Sequence, residues 1–129
     1  MRAPGVGRLN LKEVKVLAVI FEVYPTEAGK GEYLAIAATL REFLKVRPGL
    51  ISVERFQSIA DQNKMLSLSF WENEEAVHEW RSFLEHRMAQ KKGKSGLFAK
   101  YRIRVAHVLR DYTESDRTHA PSDSKTYLD

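Results

Sequence analysis

Cysteine is absent from the 129-residue chain. That excludes disulfides, zinc–thiolate sites, iron–sulfur clusters and a thiol nucleophile, and it fits a reducing cytoplasm. No apolar run approaches the roughly 20 residues of a membrane span, and residues 1–15 have no apolar signal segment. The expectation is a cytoplasmic protein with no membrane partner. The glycines form no phosphate loop: Gly93-Lys94-Ser95 would need a glycine where Met88 stands, and the segment runs from helix into strand rather than the reverse. The zinc-protease pattern fails as well, because His78-Glu79 is followed by Trp80, Arg81 and Ser82. No metal site is expected.

What is present is an ordinary globular balance, 43% hydrophobic and 29% charged, in a length that suits one domain. The net charge of +4 is unevenly placed. Between His86 and Arg104 lie Arg87, Lys91, Lys92, Lys94, Lys100, Arg102 and Arg104, with no Asp or Glu among them. Such a run could attract nucleic acid or a small anion. No helix-turn-helix, zinc or RNA-recognition signature accompanies it, so the reading is a solvated loop and strand edge without a nucleic-acid partner.

The organised part spans about residues 13–112. Residues 1–12 carry Pro4, Gly5 and Gly7 and read as an N-terminal arm; residues 113–129 are polar and read as a flexible C-terminal tail. Val14 to Tyr24 is β-branched and aromatic, a strand ended by Pro25. Thr26 can cap a helix whose Tyr33, Ile36, Ala37, Leu40 and Leu44 form one apolar stripe. Pro48-Gly49 ends that helix. Residues 50–59 and 64–71 then read as strands joined by Ala60-Asp61-Gln62-Asn63. Asn73 can cap a second helix with Val77, Trp80 and Leu84 on its inner stripe, and residues 98–109 read as a last strand. The order β-α-β-β-α-β is the ferredoxin-like α+β unit, an antiparallel sheet with both helices on one face.

The first strand poses a question for the other face. Val14, Val16, Ala18 and Ile20 point one way while Leu17, Val19, Phe21 and Val23 point the other, so both faces are apolar. A face left to water should show polar alternation. The second face therefore calls for a cover, and the expectation is a second copy of the chain in a homodimer.

The segment Ser69-Phe70-Trp71-Glu72-Asn73-Glu74-Glu75-Ala76-Val77-His78-Glu79-Trp80-Arg81 resembles the strand-to-helix passage of the antibiotic biosynthesis monooxygenase family, where an aromatic strand end and a W-x-x-x-E-A run open the helix. His86…Gln90…Gly93, Phe98-Ala99-Lys100-Tyr101 and Arg110-Asp111-Tyr112 are similar to the end of that domain. Residues 25–30 and Arg47-Pro48-Gly49-Leu50 fit too, so the resemblance covers about residues 14–112. It implies a dimeric α+β barrel with a pocket between sheet and helices in each protomer. Members oxidise polyketide-type aromatics with O₂ and no added cofactor, and others cleave haem. The haem-cleaving relatives use a Trp and a His on the second helix and an Asn on the first strand. Trp80 matches the Trp, but Gln90 stands where the His is expected and Val14 to Tyr24 holds no Asn.

These residues suggest a site for a small aromatic or quinone-like compound. Oxygenation without a cofactor needs a proton acceptor, hydrogen-bond donors for the substrate anion and an apolar cavity. His86 and Tyr101 are the catalytic candidates, although His86 also reads as an ordinary surface histidine. Tyr33, Asn63, Trp71, Trp80 and Gln90 are candidates for binding substrate, with both tryptophans equally readable as core anchors. Ser67, Ser69 and His107 are further polar groups that could face a pocket. The functional expectation is a cofactor-independent monooxygenase. The alternatives are a non-catalytic ligand-binding or stress-related module, a haem-degrading enzyme, and an isomerase or dehalogenase-like enzyme on the same fold.

Overall fold

The computed structural model describes residues 15–46, 48–91 and 96–129. The expected N-terminal arm and the Gly93-Lys94-Ser95 connector lie outside the described residues. Among those described, the elements run β1 (Leu17–Pro25), α1 (Gly29–Lys45), β2 (Leu50–Gln57), β3 (Met65–Trp71), α2 (Glu74–Lys91), β4 (Phe98–His107) and α3 (Ser122–Leu128). The order β-α-β-β-α-β is the ferredoxin-like arrangement expected from the sequence, in the α+β class.

The four strands form one antiparallel sheet in the order β2-β3-β1-β4. Its register places Phe21 opposite Ser67, Val19 opposite Ser69 and Leu17 opposite Trp71. On the other flank of β3, Arg55 faces Ser67 and Val53 faces Ser69. Side chains alternate across a strand, so Leu17, Val19, Phe21 and Val23 enter the core while Ile20, Glu22 and Tyr24 lie on the opposite face, only half-buried.

Local signals fix the ends of the elements. The Thr26 hydroxyl accepts the N–H of Gly29 at 2.8 Å and donates to the Gly96 carbonyl at 3.2 Å, tying the start of α1 to the chain entering β4. Asn73 Oδ1 accepts the Ala76 N–H at 2.8 Å, the side-chain cap expected for α2. Gly49, at φ +122°, makes the turn from α1 into β2; a Cβ there would collide with that of Ala76. The β2–β3 connection is held by Ser58 and Lys64 N–H groups donating to the carbonyls of Lys64 and Asp61. Its strands stop at Gln57 and resume at Met65, slightly short of the expected limits, because these bonds belong to the turn.

α1 buries Tyr33, Ile36, Ala37, Leu40 and Leu44, the stripe read from its three- and four-residue spacing. α2 brings Val77, Trp80 and Leu84 into the same core. The chain divides into two compact units, and Val16–Ala106 is the one that holds the sheet, α1 and α2. In the other, Arg117 anchors α3 by donating to Asp129 Oδ1 at 2.7 Å and to Ser124 Oγ at 2.6 Å.

Candidate functional site

The core-facing side of β3 carries Ser67, Ser69 and Trp71. Serines at buried strand positions leave space that Val or Leu would fill. They also bring hydroxyls into an apolar setting, where polar groups need partners. Ser69 has one: its Oγ accepts the Trp71 indole N–H at 2.8 Å. Ser67 sits between Phe21 on β1 and Arg55 on β2, at the middle of three strands.

The space above the serines is roofed by α1 and α2. It forms two adjoining clefts that share Ala37, Leu40, Arg55, Ser67 and Trp80 as walls. The first extends along Ser69, Trp71 and Val53; the second runs toward Phe21, Tyr33 and Leu84. They hold about 310 Å³ and 280 Å³ of empty space, the solvent at their mouths included. Their closed parts have room for little more than a water or two. The walls are aromatic: Phe21 meets Tyr33 and Trp80 edge-on, at 6.3 and 5.6 Å between ring centroids, and Trp71 lies 6.1 Å from Trp80.

Arg55 is the cation that both clefts share. Its Cζ lies 6.0 Å from the centre of the Tyr33 ring, and its Nε is buried without a hydrogen-bond partner. Burial pushes the Tyr33 hydroxyl above its ordinary pKa, and the adjacent Arg55 guanidinium only partly offsets that. Tyr33 is therefore a neutral hydrogen-bonding group at physiological pH.

Of the residues expected at a site, Tyr33, Trp71 and Trp80 meet at the clefts, together with Ser67 and Ser69, which the sequence offered as pocket-facing polar groups. The others do not. His86 is exposed and lines a shallow outer hollow with Phe43, His78 and Phe83. The reason is helical geometry: at roughly 100° per residue, two positions beyond the inward Leu84 is almost the opposite side. Gln90, six positions beyond Leu84, is likewise exposed. Asn63 sits in the β2–β3 turn, where its N–H donates to Asp61 Oδ1 at 2.9 Å, and it lines a separate hollow with Thr26, Glu27 and Lys30. Tyr101 is 44% exposed on β4; its ring lies 6.1 Å from Phe21 and 6.0 Å from Phe98, at the margin of the aromatic cluster. His107, at the end of β4, is exposed.

Arg55 is the site residue that the sequence reading missed. The signal was present: in Leu50–Gln57, the inward Val53 puts Arg55 on the same face two positions later. A charge in a strand is ordinarily read as solvent-facing, and that habit hides it. Of the basic run near α2 and β4, Arg104 pairs with Glu22 at 3.3 Å, and Lys100 and Arg87 rest over the rings of Tyr24 and Phe83.

Neither cleft is lined by histidine, so a haem placed there would find no imidazole ligand. Among the described residues no three His, Cys, Asp or Glu side chains cluster as a metal site.

A two-layer sheet-and-helix unit with an aromatic-walled cleft between its layers defines a ferredoxin-like α+β fold. The chain belongs to the antibiotic biosynthesis monooxygenase family, whose pattern, described as Antibiotic biosynthesis monooxygenase, matches residues 16–92. A jasmonate monooxygenase of Pyricularia oryzae is 40% identical over 93 residues, which is 72% of this chain; the chain spans 43% of that relative's length. The uncharacterised protein YqjZ of Bacillus subtilis is 31% identical over 102 residues, covering 79% of this chain and 87% of its own. Among solved structures, Rv0793 from Mycobacterium tuberculosis superposes with a TM-score of 0.60 at 18% identity, covering 76% of this chain and 99% of that one. SnoaB, a cofactor-independent oxygenase from Streptomyces nogalater, gives 0.57 at 13% identity, covering 74% and 94%. At these identities the structural likeness is one of fold.

Proposed function

We propose that the chain is a cytoplasmic, cofactor-independent monooxygenase that oxidises a small aromatic or quinone-like compound in the cleft between sheet and helices. The observation that carries this reading is the cleft itself: Tyr33, Trp71 and Trp80 as flat apolar walls, with Ser67 and Arg55 as polar groups on its floor. Such walls suit a planar ring lodged at the open mouths, since the closed parts hold only a water or two, and the polar groups suit the oxygen of a substrate that ionises. The named activities of the jasmonate monooxygenase and of SnoaB support an oxygenase on this scaffold.

In the reaction the substrate supplies the electrons. An anthrone-type CH₂ loses a proton, the resulting anion reduces O₂, and a C–O bond forms at that carbon. Loss of water then leaves a carbonyl. One oxygen atom enters the product, the other leaves in water, and the four electrons taken by O₂ come from the oxidised carbon. The protein's part is to stabilise the anion and exclude bulk water around it.

A second reading, a ligand-binding module without turnover, has a specific feature in its favour: among the described residues no His, Asp or Glu lines either cleft to accept the proton. An O₂-electrode assay of chelator-treated protein with anthrone separates the two. Uptake of O₂ with one oxygen atom incorporated into product supports the oxygenase. Binding without uptake establishes the module.

We also propose that the chain acts as a homodimer through the sheet face opposite the helices. That face carries Ile20, Leu66, Leu68 and Phe70, all half-buried, with Phe56 exposed beside them. Covering such side chains contributes roughly 1.5–3 kcal/mol for each one fully buried. Light scattering at micromolar concentration tests it; a stable, folded monomer overturns it.

A further inference from the structure

We propose that Arg55 is the group that selects the ligand, by binding a negatively charged oxygen, a carboxylate or an ionised phenol or enol, on an otherwise apolar molecule. The inference deepens the site reading above and rests on the cleft being a small-molecule site.

Three observations meet at this residue. The Arg55 Nε is buried with no hydrogen-bond partner. No Asp or Glu lines either cleft, and Arg55 has no ion pair among the described residues. Its cross-strand neighbour is Ser67, a small hydroxyl residue on the floor shared by both clefts. A guanidinium is always charged and presents five donors in a plane. Burying one of those donors without a partner is costly, and an acceptor oxygen brought by a ligand would relieve that cost. Inside the cleft the aromatic rings offer apolar contact, and Tyr33 is held neutral by burial. The Tyr33 hydroxyl takes one hydrogen bond from the Arg55 guanidinium, which leaves the buried Nε as the donor still without a partner.

A second cation, Arg41, lines the first cleft but is exposed on α1. Water screens a charge in that position, so it helps to draw an anion in without fixing it. The charged oxygen group is expected to lie between Arg55 and Ser67, in the water-sized closed space, with the apolar body extending past Trp80 toward the open mouth of the cleft.

The test is an anaerobic calorimetric titration of the full chain with 2-naphthoate, its near-isosteric neutral analogue 2-naphthamide, and 2-naphthol. Because charge-assisted hydrogen bonds are the strong ones, naphthoate is expected to bind at least about tenfold more tightly than the amide. Arg55→Met should abolish that preference, while Arg55→Lys, which keeps the charge and loses the fork, should retain part of it. Thermal melts show that each variant is folded, and the acid-against-amide comparison needs no variant at all. The naphthol arm separates the two oxygen sources. A naphtholate absorption band in the complex, at a pH where free naphthol is protonated, identifies an ionised phenol as an accepted ligand. Binding of naphthoate alone restricts the class to carboxylates. Equal binding of acid and amide, no binding of any probe, or a preference that survives Arg55→Met overturns the proposal. Since no turnover is read, a protein that prefers the acid yet consumes no O₂ with anthrone keeps this inference and loses the oxygenase reading.

Discussion

The indole N–H of Trp71 donates to the hydroxyl of Ser69, two residues earlier on the same face of β3, at 2.8 Å, and both side chains are buried. The bond explains how a hydroxyl and an indole N–H coexist in the core, each satisfying the other. Ser69→Ala would leave the indole donor unpaired. The expected cost is about 1–3 kcal/mol, the range for a buried polar group that loses its partner. Chemical denaturation measures it, and an unchanged midpoint would mean that water replaces the hydroxyl.

Trp80 packs against both Phe21 and Trp71 and is 8% exposed. Trp80→Ala should destabilise the protein by roughly 3–5 kcal/mol, as for other large aromatic truncations in a core. A loss below about 1 kcal/mol would mean that the helices close over the vacated space.

Tyr33 links stability to pH. Its folded-state pKa is raised above the ordinary 10.0, chiefly by burial. A group with a raised folded pKa contributes stability that is fully present below its unfolded value and lost as pH rises through the folded one. Stability should therefore begin to fall once pH passes about 10, where the unfolded chain already loses this proton. Tyr33→Phe should flatten that part of the curve. The part of the tyrosinate absorbance that Tyr33→Phe removes should develop above pH 10 in the folded protein.

His86 stands on the outward side of α2, away from both clefts. If oxygen chemistry occurs in the clefts, His86→Ala should leave O₂ uptake with anthrone within experimental error of wild type, across pH 6 to 8. A large fall in rate would place the chemistry in the outer hollow beside Phe43 and Phe83 instead.

Most of the fold was legible because it rests on local rules. The alternation in β1, the stripe of α1 and the caps at Thr26 and Asn73 each concern residues within a few positions of one another. Local spacing fixes which faces are apolar, and the element order then leaves few topologies. The family resemblance carried by Ser69 to Arg81 was legible for the same reason, being continuous in sequence.

The site was less legible because it is assembled from five elements, β1, α1, β2, β3 and α2. Trp71 and Trp80 were recognisable as large aromatics suited either to core or to cleft, and the structure gives them both tasks. His86 and Gln90 drew attention by residue type, but their angular position on α2 relative to Leu84 turns them to the outer side. Arg55 was hidden because its meaning depends on Ser67 across the sheet and on Tyr33 from α1, neither near it in sequence. By itself the sequence determined the six elements of the ferredoxin-like unit, their apolar faces and the family, but not α3, which lies in the stretch read as a flexible tail. Only the tertiary structure decided which polar groups share a cavity, because convergence depends on strand register and helix rotation, and these are settled by packing between distant segments.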